Sequence, residues 1–595
     1  MAASILKSAF PPLYNAIMSL YRLLPVSNDP PSIRLLELEL ESNETSKIYS
    51  KMDTYNVQLQ PDYDALSYTW GTDADWMHID INAREYPITP NLHDALQQFR
   101  HNQYDNKKAK RKLWIDAICI DQADNAEKSS QLMLMKDIYA GARNVLVWLG
   151  KPDSLTGLAF DTLERFSADD GTPDGSAAYN NIDILGTVDE RRAAVELFIK
   201  RPYFDRVWII QEVVVAREAM VFCGPFSITF EKLYAACQRM TGSGFLPFSI
   251  STIGKLTYLG DWRRYYQELG GYNREEVFDL KVFIDSRDKS ATDLRDKVYA
   301  LRGLLNSIIA EGIIVDYNNS VERVYTDLAR HLLTAQPGLR VLSAVVLQHR
   351  KFSALNLPSW VPDWSQRQWG GGILQKYYRF APPKLFKAGG TGKCCRIIEL
   401  EDSETIYLEG HRLDTVKRVI SVKEQRNITE SKVREMAKET TLQETYPFTG
   451  ESLWKVFFHT LTADRSALSS RVSEDYRSKY FSAFRNWNPD LPPNERLENL
   501  PTAAWAEISR TLGAIIEDKA MLVTERGYLG LGQEGSQAGD VICILAGGET
   551  PFMLRQSPAH EGLFQFLGEC CVHGVMDGEA MNNEGSSQLE KFLIY

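Results

Sequence analysis

The sequence lacks three features that would assign a function class at sight. No run of about 18 uncharged apolar residues occurs, so no segment reads as an integral membrane span. No block of lysine and arginine interleaved with aromatics occurs either. Lys plus Arg number 67 against 78 Asp plus Glu, a net charge of −11. A surface of that sign repels phosphate backbones, and no nucleic-acid partner is expected. Cysteine is scarce, eight in 595 residues, with no Cys-x-x-Cys. Most lie in apolar runs, as Cys119 does between Ile118 and Ile120. That is the usage of buried, reduced thiols in a cytoplasmic protein rather than of a disulfide frame. Nine dispersed histidines show no metal-ligand spacing, and no metal site is expected.

What is present is a globular composition, 44% hydrophobic and 24% charged, on a chain too long for one core. Residues 1–29 form an N-terminal segment. Its first 28 residues hold Lys7 and Arg22 but no acid, and Leu13, Ile17, Leu20 and Leu24 fall on one helical face. This reads as a helix docking on the protein's own body, with membrane-surface contact by residues 1–28 as the alternative.

Residues 30–235 alternate strand and helix patterns. Tyr63–Trp70 reads as a strand ending at Gly71, and His78–Ile88 as a hairpin turning at Asn82-Ala83-Arg84. Pro90-Asn91 opens a helix with Leu92, Ala95, Leu96 and Phe99 on one face. Leu113–Ile120, apolar except for Asp116, reads as a central parallel strand covered on both faces. A helix starts next, with Asp124 and Glu127 spaced as a capping-box variant. Asn144–Leu149 is a second buried strand, closed by Gly150. Strand, helix, strand at this spacing makes a βαβ unit, and the class is α/β with a parallel sheet and flanking helices. A Gly-, Asp- and Ser-rich stretch at 151–190 reads as a loop. Residues 236–388 look mainly helical. Residues 389–595 look β-rich, with strands at Arg396–Leu400, Thr405–Leu408, Met521–Thr524, Val541–Leu545 and Phe564–Leu567, and a polar helical insert at about 429–517.

Two nucleotide-site imitations fail on context. Gly530-Leu-Gly-Gln-Glu-Gly535 has dinucleotide-binding spacing but runs into a strand instead of a helix, and reads as a glycine-rich β turn. Gly389-Gly-Thr-Gly-Lys-Cys394 has the wrong glycine spacing for a phosphate loop, and Cys394 replaces the hydroxyl that would hold magnesium. Neither a Gly-x-Ser-x-Gly elbow nor a Cys/His nucleophile pair is found.

Three blocks carry chemistry. Leu66-Ser-Tyr-Thr-Trp-Gly71 ends a strand in hydroxyls, an indole and a glycine. Leu113–Gln122 places Asp116 inside the apolar run and Asp121-Gln122 at its end. Ligands of open α/β sheets bind beyond the carboxyl ends of strands, which makes Ser67, Trp70, Gly71, Asp121 and Gln122 candidate binding residues. Asp116, a buried carboxylate, needs a partner, either a structural arginine or a ligand. The third block, Arg201–Val213, fits strand or helix. Either way Trp208 and Glu212, four apart, share a face. An acid beside an indole in an apolar segment has its pKa raised by desolvation, which marks Glu212 as a candidate reactive carboxylate. A salt bridge to Arg206 or Arg201 is the structural alternative.

In order and spacing these blocks resemble the fungal heterokaryon-incompatibility (HET) domain: Tyr63–Gly71, then Leu113–Gln122 continuing through Glu127, Gln131 and Ile138-Tyr139 to Val147–Gly150, then Arg201–Glu212. Asp293–Gly303, Leu357–Trp364 and Gly568–Glu579 are similar to segments of long members of that group. The resemblance implies a self/non-self signalling protein that triggers cell death when incompatible cells fuse, switched by an incompatibility partner or by self-association. The group is also distantly similar to TIR domains, flavodoxin-like modules some of which cleave NAD⁺. Trp208-Ile-Ile-Gln-Glu212 matches the Trp-x-x-x-Glu spacing around their catalytic glutamate. On that resemblance Glu212 would be catalytic, NAD⁺ would be the substrate, no cofactor would be required, Trp70 or Trp208 would stack on a ring, and Ser67 or Asp121 would bind ribose hydroxyls. The alternative from a different class is a non-catalytic adaptor that self-associates or recruits effectors.

Overall fold

Strand β3 (Asp64–Tyr68) is buried along its whole length because it sits at the centre of a nine-stranded sheet. The computed structural model of the chain describes residues 11–40, 47–71, 75–101, 110–168, 186–243, 245, 250–268, 277–335, 339–366, 386–390, 398–399, 404–421, 445–464, 512, 515–516, 518–583 and 589–595. Contacts divide the chain into two units. The first is Met1–Arg274, Lys289–Ala310 and Ile314–Asn318; the second is Glu275–Asp288, Glu311–Ile313 and Asn319–Tyr595.

In the first unit β1 (Ser32–Glu39), β2 (Tyr49–Asn56), β4 (Met77–Ile81), β5 (Arg84–Ile88), β6 (Lys110–Trp114), β7 (Val145–Trp148), β8 (Ala219–Cys223) and β9 (Phe226–Thr229) join β3 in the order β5-β4-β2-β1-β6-β3-β7-β8-β9. The central four, β6-β3-β7-β8, run parallel, and the antiparallel pairs β1–β2, β4–β5 and β8–β9 extend the sheet on either side. Along the chain that parallel set is wound second-first-third-fourth. The direction of winding therefore reverses between β3 and β7, the kind of place where open α/β sheets bind ligands. The sheet is α/β as expected, mixed at its margins rather than wholly parallel.

Local chemistry explains most elements. The β4–β5 hairpin turns on Asn82 and Ala83, both at positive φ (53° and 62°), the type I′ geometry that matches strand twist. Helix Pro90–Arg100 starts with the Thr89 side chain accepting from Leu92 N and Pro in its first turn, and it buries Leu92, Ala95, Leu96 and Phe99. Two expectations need correction. The run Leu113–Ile120 is not one strand: β6 stops at Trp114, and Asp116–Cys119 forms a helical turn whose Ile118 and Cys119 are fully buried. An apolar run of this length is satisfied by either conformation, and a turn buries it here. Glu127 does not close a capping box. Asp124 alone caps Ala126 and Glu127, while the Glu127 carboxylate pairs with the buried Arg34 at 2.6 and 2.9 Å.

Helix Pro11–Leu23 turns Ile17, Leu20 and Tyr21 inward, and the Tyr21 hydroxyl reaches Tyr86 (2.8 Å) and the Ile118 carbonyl (3.0 Å). Of the apolar face read from the sequence, Ile17 and Leu20 are buried and Leu24 is half-buried. Among the described residues no helix is long and apolar enough to cross a membrane.

The second unit begins helical, with Val321–Ala335 burying Val324, Leu328, Leu332 and Leu333 on one face. Its sheet contains the 16-residue β11 (Ile406–Ser421), with β12 (Lys519–Thr524), β13 (Leu529–Gln533), β14 (Val541–Leu545), β15 (Phe552–Gln556), β16 (Leu563–Glu569), β17 (Cys571–Val572) and β18 (Glu590–Ile594). Pairings β11–β14–β15–β16–β18–β11 close a ring, and β12, β13 and β17 continue from the second half of β11. The glycine motif at 530–535 is a strand more than a turn. A side chain at Gly530 would meet the Cys571 carbonyl at 2.9 Å, and one at Gly532 would meet Leu522 and Met553 at 2.6 Å, so strand packing explains these glycines. The 151–190 stretch is not a loop throughout, since Thr156–Ser167 forms a helix that buries Ala159, Phe160, Leu163 and Phe166; its residues 169–185 lie outside the described residues. Of the insert, helix Leu453–Leu461 is described; most of the rest, with residues 391–394, lies outside the described residues.

Candidate functional site

Ser67 is the fourth residue of β3 and fully buried, and its Oγ is where two distant segments converge. The Tyr203 hydroxyl lies 2.7 Å away, and Ser67 donates to the Glu212 carboxylate, 145 residues along the chain. A carboxylate accepts only, so the proton order runs Tyr203 to Ser67 to Glu212. Residues 201–215, ambiguous from sequence, fold as a 3₁₀ turn (Pro202–Asp205) and a short, wholly buried helix (Ile209–Val214) that carries Glu212.

Burial raises the Glu212 pKa to about 7; the positive charge of Arg206 and the Ser67 hydrogen bond oppose the rise, and Asp116 adds to it. Arg206 donates to the Tyr68 carbonyl and its charge acts on both Glu212 and Asp116. Asp116 stands at the start of its helical turn, not within a strand. Its Oδ2 accepts from the Trp70 indole at 2.8 Å and its Oδ1 from Ala117 N at 2.8 Å, while burial lifts its pKa. Asp116 thus has protein partners, an indole and an arginine field. Arg201 is engaged elsewhere, with Asp153 at 2.8 Å.

Trp208 and Glu212 diverge. The Trp208 indole donates to Asp296 at 3.0 Å, and Asp296 also accepts from the Tyr317 hydroxyl at 2.6 Å. The next turn of that helix is tied to the same downstream segment, because the Gln211 side chain accepts from Gly303 N at 3.2 Å.

A cleft opens beside this network, lined by Tyr68, Trp70, Trp76, Tyr86, Asp121 and Gln122 and flanked by Ile17 and Tyr21 of the N-terminal helix. Burial raises the Asp121 pKa, against the hydrogen bond its Oδ1 accepts from Ala123 N. Gln122 reaches back to the Asp116 carbonyl at 3.0 Å. Of the candidates, Trp70, Asp121 and Gln122 therefore share the cleft wall. Ser67 and Glu212 are bonded in the buried interior, Asp116 holds the cleft-lining Trp70, and Trp208 joins neither group. The strand expected over Tyr63–Trp70 stops at Tyr68, and Gly71, three residues beyond it, is exposed at φ 83°.

Sequence reasoning passed over Asn91 as a site residue. Its amide donates to the Thr69 carbonyl at 2.6 Å, its oxygen accepts from the Trp148 indole at 3.0 Å, and it thereby ties the ends of β3 and β7 at the reversal point. The only signal was its position after Pro90 in a helix start. Tyr203, inside the third block, was likewise readable only as an aromatic.

Residues 63–212, from the residue before β3 to the buried carboxylate, match the family model for heterokaryon incompatibility protein (HET). Over those residues the chain is similar to HET domains. Residues 502–594 match a second model, the Het-6 beta-barrel domain, which covers most of the strands of the closed ring. Heterokaryon incompatibility protein 6, OR allele, of Neurospora crassa is 25% identical, over 94% of this chain and 96% of its own length. No solved structure matches the chain. The segment matched to HET domains thus contains every candidate residue and Asn91, whereas Asp296 and Gly303, which hold the Glu212 helix, lie beyond it.

Proposed function

We propose that this chain is a HET-domain protein that acts in self/non-self recognition between fungal cells and triggers cell death through its HET domain, by hydrolysing NAD⁺ at the Trp70–Asp121 cleft with Glu212 as the catalytic carboxylate. The observation that carries the proposal is the return of Glu212 onto the carboxyl end of β3, where Tyr68 and Trp70 line an aromatic cleft. Breaking the nicotinamide–ribose bond develops positive charge on the sugar, which a nearby carboxylate stabilises; nicotinamide leaves neutral, so no separate acid is needed. Trp70 offers a stacking face, and Asp121 and Gln122 offer acceptors for ribose hydroxyls. Glu212 is 2% exposed and bonded to Ser67, so in this reading the pair opens on binding an incompatibility partner or on self-association.

That closed state is also what favours a second reading, an adaptor in which Glu212 only fixes the fold. One assay separates the two. Purified full-length protein, free and held in forced oligomers, is incubated with NAD⁺ beside the Glu212→Gln variant. The hydrolase reading expects nicotinamide release by the wild-type oligomer alone. Absence of release from every preparation leaves the adaptor.

A further inference from the structure

One wall of the Trp70–Asp121 cleft is not part of the sheet. It is the helix Pro11–Leu23, whose Ile17, Met18 and Tyr21 line the cleft together with Trp70 and Tyr86. With the helix in place the cavity volume is about 70 Å³. That is room for a few waters, whereas sites for drug-sized molecules run to about 300–1,000 Å³, and a dinucleotide is larger than most of those. Side chains tie the helix down. Tyr21 donates to the Ile118 carbonyl at 3.0 Å and shares a 2.8 Å hydrogen bond with the Tyr86 hydroxyl. The Arg34 guanidinium sits 4.7 Å over the Tyr21 ring and donates to the Leu24 carbonyl at 2.6 Å, and the Ser19 hydroxyl accepts from Arg84. Leu20 is buried under the helix without lining the cleft.

The groups that grip Tyr21 belong to the cleft itself. Tyr86 and Ile118 both line it, so the hydroxyl and the carbonyl that Tyr21 occupies are groups a bound ligand would meet once Tyr21 had left. Helix and ligand therefore compete for one place, and apparent affinity falls with the fraction of molecules that keep the helix seated. We infer that the N-terminal helix is an autoinhibitory strap: seated in the cleft wall it excludes NAD⁺, and its withdrawal admits the dinucleotide. The inference rests on the reading of this cleft as an NAD⁺ site, and it names the element that a partner or self-association has to move.

The test is calorimetric titration of the full-length chain with NAD⁺ in a Glu212→Gln background, where binding is read without turnover. The same variants with Glu212 intact are assayed for nicotinamide release. Tyr21→Phe removes both hydroxyl bonds and keeps the ring, and it should tighten NAD⁺ binding roughly three- to tenfold. Leu20→Asp puts a carboxylate at a buried position without changing a cleft-wall residue, and it should tighten binding by more than about tenfold. No gain in affinity from Tyr21→Phe, undetectable binding included, overturns the strap, and this variant decides the matter if Leu20→Asp fails to fold. The two readings fail separately. Tighter binding with no nicotinamide release from any preparation keeps the strap and removes the hydrolase. Release by wild-type oligomers with no gain in either variant keeps the hydrolase and removes the strap.

Discussion

Glu212 is held by a hydroxyl and a nearby cationic field instead of a direct arginine clamp, and this sets its response to pH. A buried acid whose pKa rises from 4.5 to about 7 favours its protonated form in the folded state. Its contribution to stability is therefore full below pH 4.5 and declines as pH rises through 7, by on the order of 3 kcal/mol in total. Glu212→Gln keeps the shape and the acceptor for Ser67 without that penalty. The variant should match wild type in thermal unfolding at pH 5 and exceed it at pH 8; a constant difference across that range would contradict the account. At Asn91 the opposite sign is expected. Asn91→Ala leaves the buried Trp148 indole unsatisfied and removes the donor to the Thr69 carbonyl, so unfolding by urea should show a loss of about 1–3 kcal/mol. Glu212 was legible because its spacing from Trp208 and its apolar neighbours mark a desolvated acid. Its true partners were not legible, since Ser67 and Tyr203 meet it only through the fold.

Elements read well where one physical cause dominates. The β4–β5 turn, the helix starting at Thr89 and strands β7 and β14 all carry local signals, and all lie where the sequence places them. Residues 116–119 were misread because burial on every side erases periodicity. Asp293–Gly303 stands out as a motif, yet nothing local indicates that Lys289–Ala310, which contains it, joins the first unit and braces the Glu212 helix through Asp296 and Gly303. A side chain at Gly303 would meet Gln211 at 2.6 Å and Lys136 at 2.8 Å. Gly303→Ala should therefore destabilise the first unit by about 1–3 kcal/mol, seen as earlier loss of amide-exchange protection in residues 209–214 than elsewhere. By the same reasoning a fragment ending at residue 235 should be more protease-sensitive around Glu212 than one ending at residue 318. Equal digestion patterns would argue that the brace is dispensable.

At the scale of the molecule, a mixed α/β unit and a unit with a closed, mostly antiparallel ring are built from one chain whose segments alternate between them. The class of each unit was legible from composition and alternation; the threading was not, because contacts between distant segments leave no local trace. The central claim is that the network ending at Glu212 is what makes the HET domain active. The most direct measurement is viability of a compatible fungal strain induced to express wild-type or Glu212→Gln full-length protein at matched levels. The account predicts death with wild type and normal growth with the variant, and because Glu212→Gln is expected to raise stability at neutral pH, survival could not be assigned to unfolding. Equal killing by both proteins would contradict it.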